Sequence, residues 1–560
     1  MFTQSVVRKF VEKSLLKNNN KLLKFLCYST SSNNFVRPVY YDAKKFEDKV
    51  AIQDDIGRHT FSDIYQKATT LSKNISSALN QKTGERVLFL CPNDVSYVIT
   101  LWAIWMSGQI AVPLSPLHPD SLLLYYTNDT NSALIVSSSN FQPQMEHLAT
   151  ASKVPLYVLP QTITEPSKLK SNVEINEDII PNTNEAMILY TSGTTGSPKG
   201  VVLTHKNLRV QVETLTSAWK WTSNDVILHT LPLHHVHGTI NALFCPLYVG
   251  ATTIMLPKFN PTKIWNYFLQ NKEKITVFMA VPTIYSKLID EYENNIKNKQ
   301  KDVRKVLEND VRLMVSGSAP LPAPVHTKWF ELSGHKLLER YGMTEIGMCL
   351  SNLYDSDRSP GFVGVPLPSV SVALADQNDG TVILQCSNQN GSLVYEKNGS
   401  GDVTGELLVK GDSVFKEYFG KPEATRKEFI NGWFKTGDLA QFVEKDQKFR
   451  ILGRKSVDII KSGGYKISAL QIETLLLEHE RIKECAVLGV PDDVYGERVG
   501  VIVVPQTGGG SEFDLEGLRG WAGGKMPRYW VPSVLRVVEE IPKNAMGKVN
   551  KKELIKVFFD

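Results

Sequence analysis

Short apolar runs of strand length recur along this chain, and most are followed by a stretch with helical periodicity. Arg86–Leu90 is one, and Val95–Met106 after it reads as a helix packed beside it. Residues 133–136, 226–228, 252–255, 275–278 and 312–315 are others. A run of four or five apolar residues without polar alternation suits a strand covered on both faces, and intervening helices are how parallel strands connect. The expected fold class is therefore α/β, with largely parallel sheets. At 560 residues the chain exceeds one ordinary core, so at least two domains are expected. The apolar run 98–114 is broken by Ser107-Gly108-Gln109 and is expected to be a core helix and strand, not a membrane span. Residues 376–402, rich in Asn, Gln, Gly and Ser, are expected to form a long polar loop.

One loop stands out within this alternation. The run 186–189 leads into Tyr190-Thr191-Ser192-Gly193-Thr194-Thr195-Gly196-Ser197-Pro198-Lys199-Gly200, and Val201-Val202-Leu203 leads out. It reads as strand, polar glycine loop, strand. The glycines let several backbone N–H groups turn toward one anion, the hydroxyls add donors, and Lys199 supplies a cation. The P-loop pattern is excluded, because it needs Gly directly before Lys and Pro198 stands there. A surface hairpin is the plain alternative for such a loop on its own.

Further constellations follow in order. They are the histidine stretch His234-His235-Val236-His237, the turn Ser316-Gly317-Ser318-Ala319 after a strand, and Glu339-Arg340-Tyr341-Gly342-Met343-Thr344-Glu345. Then come Thr436-Gly437-Asp438, Gly453-Arg454 leading to Gly463-Gly464-Tyr465, and Met546-Gly547-Lys548. Glycine turns after strand ends are where open α/β sheets bind ligands. An Asp can accept ribose hydroxyls, an Arg can fork onto ribose or phosphate, and a Glu can hold Mg²⁺ beside a triphosphate. Each one alone has a structural reading as a turn, and the three histidines alone could be metal ligands. Their joint occurrence favours a nucleotide site.

The formal net charge of +5 is carried by residues 1–32, where Arg8, Lys9, Lys13, Lys17, Lys21 and Lys24 face only Glu12. The rest of the chain is about neutral, which argues against a nucleic-acid surface. Val7, Val11, Leu15, Leu22 and Leu26 share one helical face and the lysines the other, ahead of Ser29-Thr30-Ser31-Ser32. This resembles a mitochondrial presequence, with a basic surface-seeking tail as the alternative. No secretory or peroxisomal address is read, and a protein that is not integral to a membrane is expected. The six cysteines are far apart with no C-x-x-C pair, so a reducing compartment is expected.

In order and spacing, residues 191–200, His235, 341–345, 436–438, Gly453-Arg454 and Gly547-Lys548 resemble the motifs of the adenylate-forming acyl-CoA synthetase superfamily. The resemblance covers residue 40 to the end, and within the superfamily it is nearest to the malonyl-CoA synthetases, especially their mitochondrial type. It implies a large N-terminal domain of layered sheets and helices with a small β-barrel part, at 36–454. A small mobile α+β C-terminal domain follows at 455–560, behind a presequence at 1–32. It also implies ATP, Mg²⁺ and CoA as partners, a mitochondrial matrix location, and a two-step ligation of malonate, with methylmalonate as a second acid.

Carried over by motif, Thr191, Ser192, Gly193, Thr194, Thr195, Gly196 and Lys199 hold the β- and γ-phosphates. Gly317, Ser318, Ala319, Tyr341 and Gly342 line the adenine. Thr344 touches the α-phosphate, Glu345 the magnesium, and Asp438 with Arg454 the ribose. Lys548 bridges carboxylate and α-phosphate, and His235 is counted with the catalytic residues. Gly463, Gly464 and Tyr465 line the CoA tunnel in a second pose reached by a hinge within 455–458. A dicarboxylate needs its distal charge met. Arg312 and His237 are expected to meet it, with Met348 as the pocket floor. The alternatives are a medium-chain or aryl acyl-CoA synthetase, a ligand-binding protein that keeps the fold without catalysis, and a metal hydrolase built on the histidines.

Overall fold

The structure is a computed structural model. It describes residues 35–166, 180–181, 183–191, 197–270, 274–297, 302–377, 379–389, 391–506, 514–543 and 549–559. Two sheets dominate the large part. The first has seven strands in the order Glu417–Tyr418, Lys199–Thr204, Glu185–Thr191, Ile110–Pro113, Arg86–Leu90, Leu134–Ser137, Leu156–Val158. The last five of these run parallel, and the glycine loop joins Glu185–Thr191 to Lys199–Thr204 as an antiparallel hairpin. The second has nine strands in the order Val365–Pro366, Gly347–Ser351, Leu338–Met343, Leu313–Ser316, Val277–Ala280, Val226–His229, Thr252–Met255, Val50–Gln53, Arg58–Thr60. From Leu338–Met343 to Val50–Gln53 its strands are parallel, so their carboxyl ends share one edge.

These strands form where the sequence is apolar on both faces. Val87, Leu88, Phe89 and Leu90 are all buried, as are Leu313 to Val315. Helix Val95–Met106, capped at its start by Asp94, buries all but its last residue. It is the core helix expected of the apolar run, and among the described residues no helix is long and apolar enough to cross a membrane. The expected strands appear within a residue or two, but the strand expected from residue 312 begins at Leu313.

A seven-stranded antiparallel sheet, from Val370–Ala375 to Lys448–Arg454, occupies the part expected as a β-barrel. The polar stretch expected as a loop is instead largely a hairpin within this sheet. Strands Val382–Gln389 and Ser392–Lys397 pair in register and turn at Gly391, whose φ is +87°. Their solvated faces made them look like loop in sequence.

The remaining chain folds around its own centres. Ile459–Ser462, Tyr465–Ser468, Ile482–Asp492, Gly496–Pro505 and Val534–Val537 form a five-stranded mixed sheet. Helices Ala469–Leu476 and Leu515–Gly523 close one apolar cluster, and helix Lys551–Phe558 closes another. Neither cluster is continuous with the main core.

Candidate active site

The glycine loop is closed at its base by pairing of Thr191 with Lys199 and of Tyr190 with Gly200. Ser192, Gly193, Thr194, Thr195 and Gly196 lie outside the described residues. Lys199 Nζ stands 4.6 Å from the centre of the Tyr418 ring and 3.9 Å from the Glu428 carboxylate. The Tyr418 hydroxyl donates to Glu345 Oε1 at 3.0 Å. Loop cation and acid are thus bridged by one tyrosine.

Glu345 sits in the turn between Leu338–Met343 and Gly347–Ser351. That turn is tight: a Cβ on Gly342 would fall 2.1 Å from the Gly347 carbonyl oxygen. Thr344 lies in the same turn, and Met348 lies behind Gly342. Glu345 is buried, and its Oε2 has no hydrogen-bond partner among the described residues. Burial raises its carboxyl above the ordinary range, opposed by the Tyr418 hydrogen bond and by the charges of Arg454 and Lys199. A buried carboxylate oxygen left open in this way fits a hard divalent cation such as Mg²⁺.

Strands Trp433–Val443 and Lys448–Arg454 place Asp438 directly opposite Arg454. Arg454 Nε lies 3.4 Å from Asp438 Oδ1, and the Tyr341 hydroxyl donates to Asp438 Oδ2. Burial, with Asp438 beside it, holds the Tyr341 phenol well above its ordinary value, so it remains a donor. Tyr341, Asp438 and Arg454, expected together from sequence, are brought together.

The substrate end requires a correction. Arg312 precedes its strand and so stands at the amino edge of the nine-stranded sheet. Its guanidinium forks onto Asp225, Nε to Oδ1 at 2.6 Å and Nη2 to Oδ2 at 2.8 Å, and Nη1 donates to the Trp219 carbonyl at 3.1 Å. Asp225 likewise precedes its strand, Val226–His229. Burial works to raise its carboxyl, but hydrogen bonds from Arg312 and Thr222 hold it below the ordinary range. Arg312 is therefore a completed ion pair at the wrong end of the sheet to meet a substrate beside Ser316-Gly317-Ser318.

The arginine at the carboxyl edge is Arg340. It is 4% exposed, and no carboxylate among the described residues lies within ion-pair distance. Its Nη2 donates to Ser318 Oγ at 3.2 Å, while its Nε is buried without a partner. Gly317 makes room for it, since a Cβ there would fall 2.5 Å from the guanidinium carbon. Burial pushes the Arg340 guanidinium down to about 9. Ser318, at a φ of +69° and exposed, also lies 3.2 Å from His237 Nδ1. Ala319 follows it on the exposed side. Burial, and then the nearby Arg340, lower His237 well below its ordinary value, so its ring is neutral at pH 7. Its Nε2 is buried and unpartnered. Arg340, Ser318 and His237 together form a corner that is rich in donors and lacks an anion.

The other histidines do not join it. The His234 ring packs on His235 and His118, with centroids 4.1 and 5.2 Å apart, and the His235 carbonyl accepts from Thr239 N at 2.9 Å. Among the described residues no three His, Cys, Asp or Glu side chains are grouped to hold a metal. Gly463, Gly464 and Tyr465 form a turn of the C-terminal sheet, where Tyr465 stacks on Tyr529 at 4.3 Å. Residues 455–458 make a single turn after Arg454, and Asp458 Oδ1 pairs with Lys551 at 2.6 Å. Residues 1–32 and Lys548 lie outside the described residues.

Sequence reasoning passed over Arg340 although it stood inside a quoted motif, where it follows Glu339 in the strand Leu338–Met343. Tyr418 carried no local signal.

The fold and this nucleotide-shaped edge define a ligase-type adenylating site, and the chain belongs to the AMP-binding enzyme family. It matches that family over residues 39–419 and the AMP-binding enzyme C-terminal domain over residues 471–548. It is similar to the mitochondrial malonate–CoA ligase ACSF3 of Mus musculus, with 48% identity covering 93% of this chain and 91% of the relative. The Homo sapiens protein of that name is 46% identical, covering 93% of this chain and 92% of the relative. Among solved structures it is similar to ATP-bound MatB from Rhodopseudomonas palustris, with 30% identity and a TM-score of 0.79, covering 94% of this chain and 99% of the other.

Proposed function

We propose that this protein is an AMP-forming malonate–CoA ligase of the mitochondrial matrix. In the first step a malonate carboxylate oxygen attacks the α-phosphorus of ATP and pyrophosphate leaves. In the second the CoA thiolate attacks the acyl carbon and AMP leaves. Relatives named malonate–CoA ligase at 46–48% identity support the acid, and their mitochondrial names together with the basic, amphipathic residues 1–32 support the location.

The observation that carries the substrate reading is the pair of buried side chains Arg340 and His237, joined through the exposed Ser318, with no carboxylate among the described residues within ion-pair distance of the arginine. An acyl group ending in a methyl would leave the Arg340 cation unpaired in a dry site, which costs several kcal/mol. A distal carboxylate pairs it, and the neutral His237 adds a hydrogen bond without repelling either charge. Malonate is short enough for its other carboxylate to remain beside the Tyr341 to Glu345 turn.

The motifs, with placement where a residue is described, support roles for the remaining residues. The loop from Thr191 through Gly196 to Lys199 holds the pyrophosphate portion of ATP. The 317–319 backbone, Tyr341 and Gly342 face the adenine, Thr344 the α-phosphate, and Asp438 with Arg454 the ribose. Glu345 Oε2 would hold Mg²⁺, which supplies charge neutralisation at the phosphates. Lys548 bridges the reacting oxygens, His235 is counted with the catalytic residues by its motif, and Met348 closes the floor. The separate cores beyond Ile459 support a division into 36–454 and a mobile 455–560, in which Gly463, Gly464 and Tyr465 receive the pantetheine arm.

The test is a panel of acids assayed for CoA-dependent AMP formation: malonate, methylmalonate, propionate, octanoate and cinnamate. Malonate is expected to be the best substrate. Highest activity on octanoate or cinnamate would overturn the reading.

A further inference from the structure

Helix Asp120–Asp129, which contributes nothing to the corner just described, reaches both shoulders of the glycine loop. On the entry side, the Tyr190 hydroxyl donates to Asp129 Oδ2 at 2.7 Å. The Tyr126 ring stacks on the Tyr190 ring, with centroids 3.9 Å apart and planes 20° from parallel. On the exit side, the Tyr125 hydroxyl donates to the Pro198 carbonyl at 2.8 Å. That carbonyl belongs to the peptide group from which Lys199 begins, so the bond fixes the plane on which the loop's cation stands. The remaining Asp129 oxygen, Oδ1, accepts from Lys421 Nζ at 2.7 Å.

Lys421 closes a circuit. Its backbone N–H donates to the carbonyl of Tyr418, the residue whose ring lies under Lys199 and whose hydroxyl reaches Glu345. The strand Glu417–Tyr418 pairs with Val201 and Val202 beyond the loop. Tyr190 is itself opposite Gly200, where a Cβ would fall 3.3 Å from the tyrosine ring. The cluster is held by polar contacts to an acid and a carbonyl at the two places where the chain enters and leaves the loop.

We propose that Tyr125, Tyr190 and Asp129, with Lys421 as counter-ion, are positioning residues that fix the two described ends of the glycine loop, at Tyr190–Thr191 and Pro198–Lys199, and with them the Lys199 cation. The proposal rests on the reading of residues 191–200 as the pyrophosphate site. Loss of one tether lets Lys199 and the loop's two ends shift, so it appears as weaker ATP binding, not as a slower step after pyrophosphate has left.

Replacing Tyr125→Phe or Tyr190→Phe keeps each ring and removes one hydrogen bond. In malonate-dependent ATP–pyrophosphate exchange by the full-length protein, each is expected to raise KM for ATP and for pyrophosphate roughly tenfold. KM for malonate should stay within about twofold, and conversion of supplied malonyl-AMP and CoA should be unchanged. Lys421→Met should behave like Tyr190→Phe, and Lys421→Arg should restore most of the loss. An unchanged KM for ATP in the tyrosine variants, with a raised one in Lys199→Ala, overturns the clamp and leaves the loop reading intact. An unchanged value in Lys199→Ala as well removes the loop reading and the clamp with it. Equal losses in exchange and in the thioester step mean general packing, and also overturn the proposal.

Discussion

Two arginines occupy opposite edges of the same parallel sheet and are left in opposite electrostatic states. At the amino edge Arg312 has its carboxylate, Asp225, in a two-pronged pair, with Thr276 and Thr222 donating to the same acid. At the carboxyl edge Arg340 has a serine hydroxyl, a neutral imidazole beside it and, among the described residues, no acid within ion-pair distance. The nearest acid in that edge's functional turn, Glu345, is likewise incomplete, with one buried oxygen unpartnered. The amino edge is finished by the chain itself. The carboxyl edge is left open by the described residues, an arginine without an acid and a glutamate oxygen without a partner.

The largest effect that separates the two edges should come from the completed pair. Arg312→Met strands Asp225, which is 3% exposed, and is expected to destabilise the large domain by about 3–5 kcal/mol. The midpoint of urea or thermal unfolding checks this, and preference among acids should not change. Pairing it with Asp225→Asn should recover much of the loss. If Arg312→Met left the midpoint unchanged, the amino edge would not be the structural one.

Next in size is Glu345→Gln, which keeps the Tyr418 contact but weakens the hold on a cation. Adenylation is expected to fall roughly a hundredfold, and the shortfall should narrow as Mg²⁺ is raised. Thioester formation from supplied malonyl-AMP should be spared. Loss of both half-reactions would mean the acid supports the turn alone.

Smaller, and opposite in sign to the first, is the stability of Arg340→Met. Removing a buried cation that has no counter-ion should raise the unfolding midpoint of the free protein by about 1–2 kcal/mol equivalent. Differential scanning calorimetry without malonate reads this directly. A lower midpoint would mean that Arg340 has a partner and that the comparison fails.

The two edges also differ in how legible they were. The nucleotide-type motifs were readable because their residues sit in short glycine-bearing turns, and the fold needed only to bring Asp438 opposite Arg454 and the Tyr341 hydroxyl onto Asp438. Arg312 and Arg340 look alike in sequence, each beside an apolar run. Which end of a four-residue strand an arginine occupies is decided by where pairing begins, and here it begins at Leu313. Whether an arginine has a partner depends on Asp225, far away in the chain, and no local pattern records that. The hairpin within 382–397 was hidden for a related reason, since strands with one solvated face carry polar residues at alternate positions. Tyr418 comes beside Lys199 only through strand pairing from a distant segment.

The most direct measurement of the central claim is the ratio of kcat/KM for malonate to that for propionate, taken side by side in the unaltered protein, Arg340→Met and Arg312→Met. Truncating one partner of a buried charge pair weakens it by about 2–5 kcal/mol, so Arg340→Met should cut the ratio by roughly thirtyfold or more. Arg312→Met, assayed at a temperature where it is folded, should leave the ratio unchanged. A ratio that collapses in Arg312→Met and survives in Arg340→Met would contradict the assignment of the substrate to the unfinished edge.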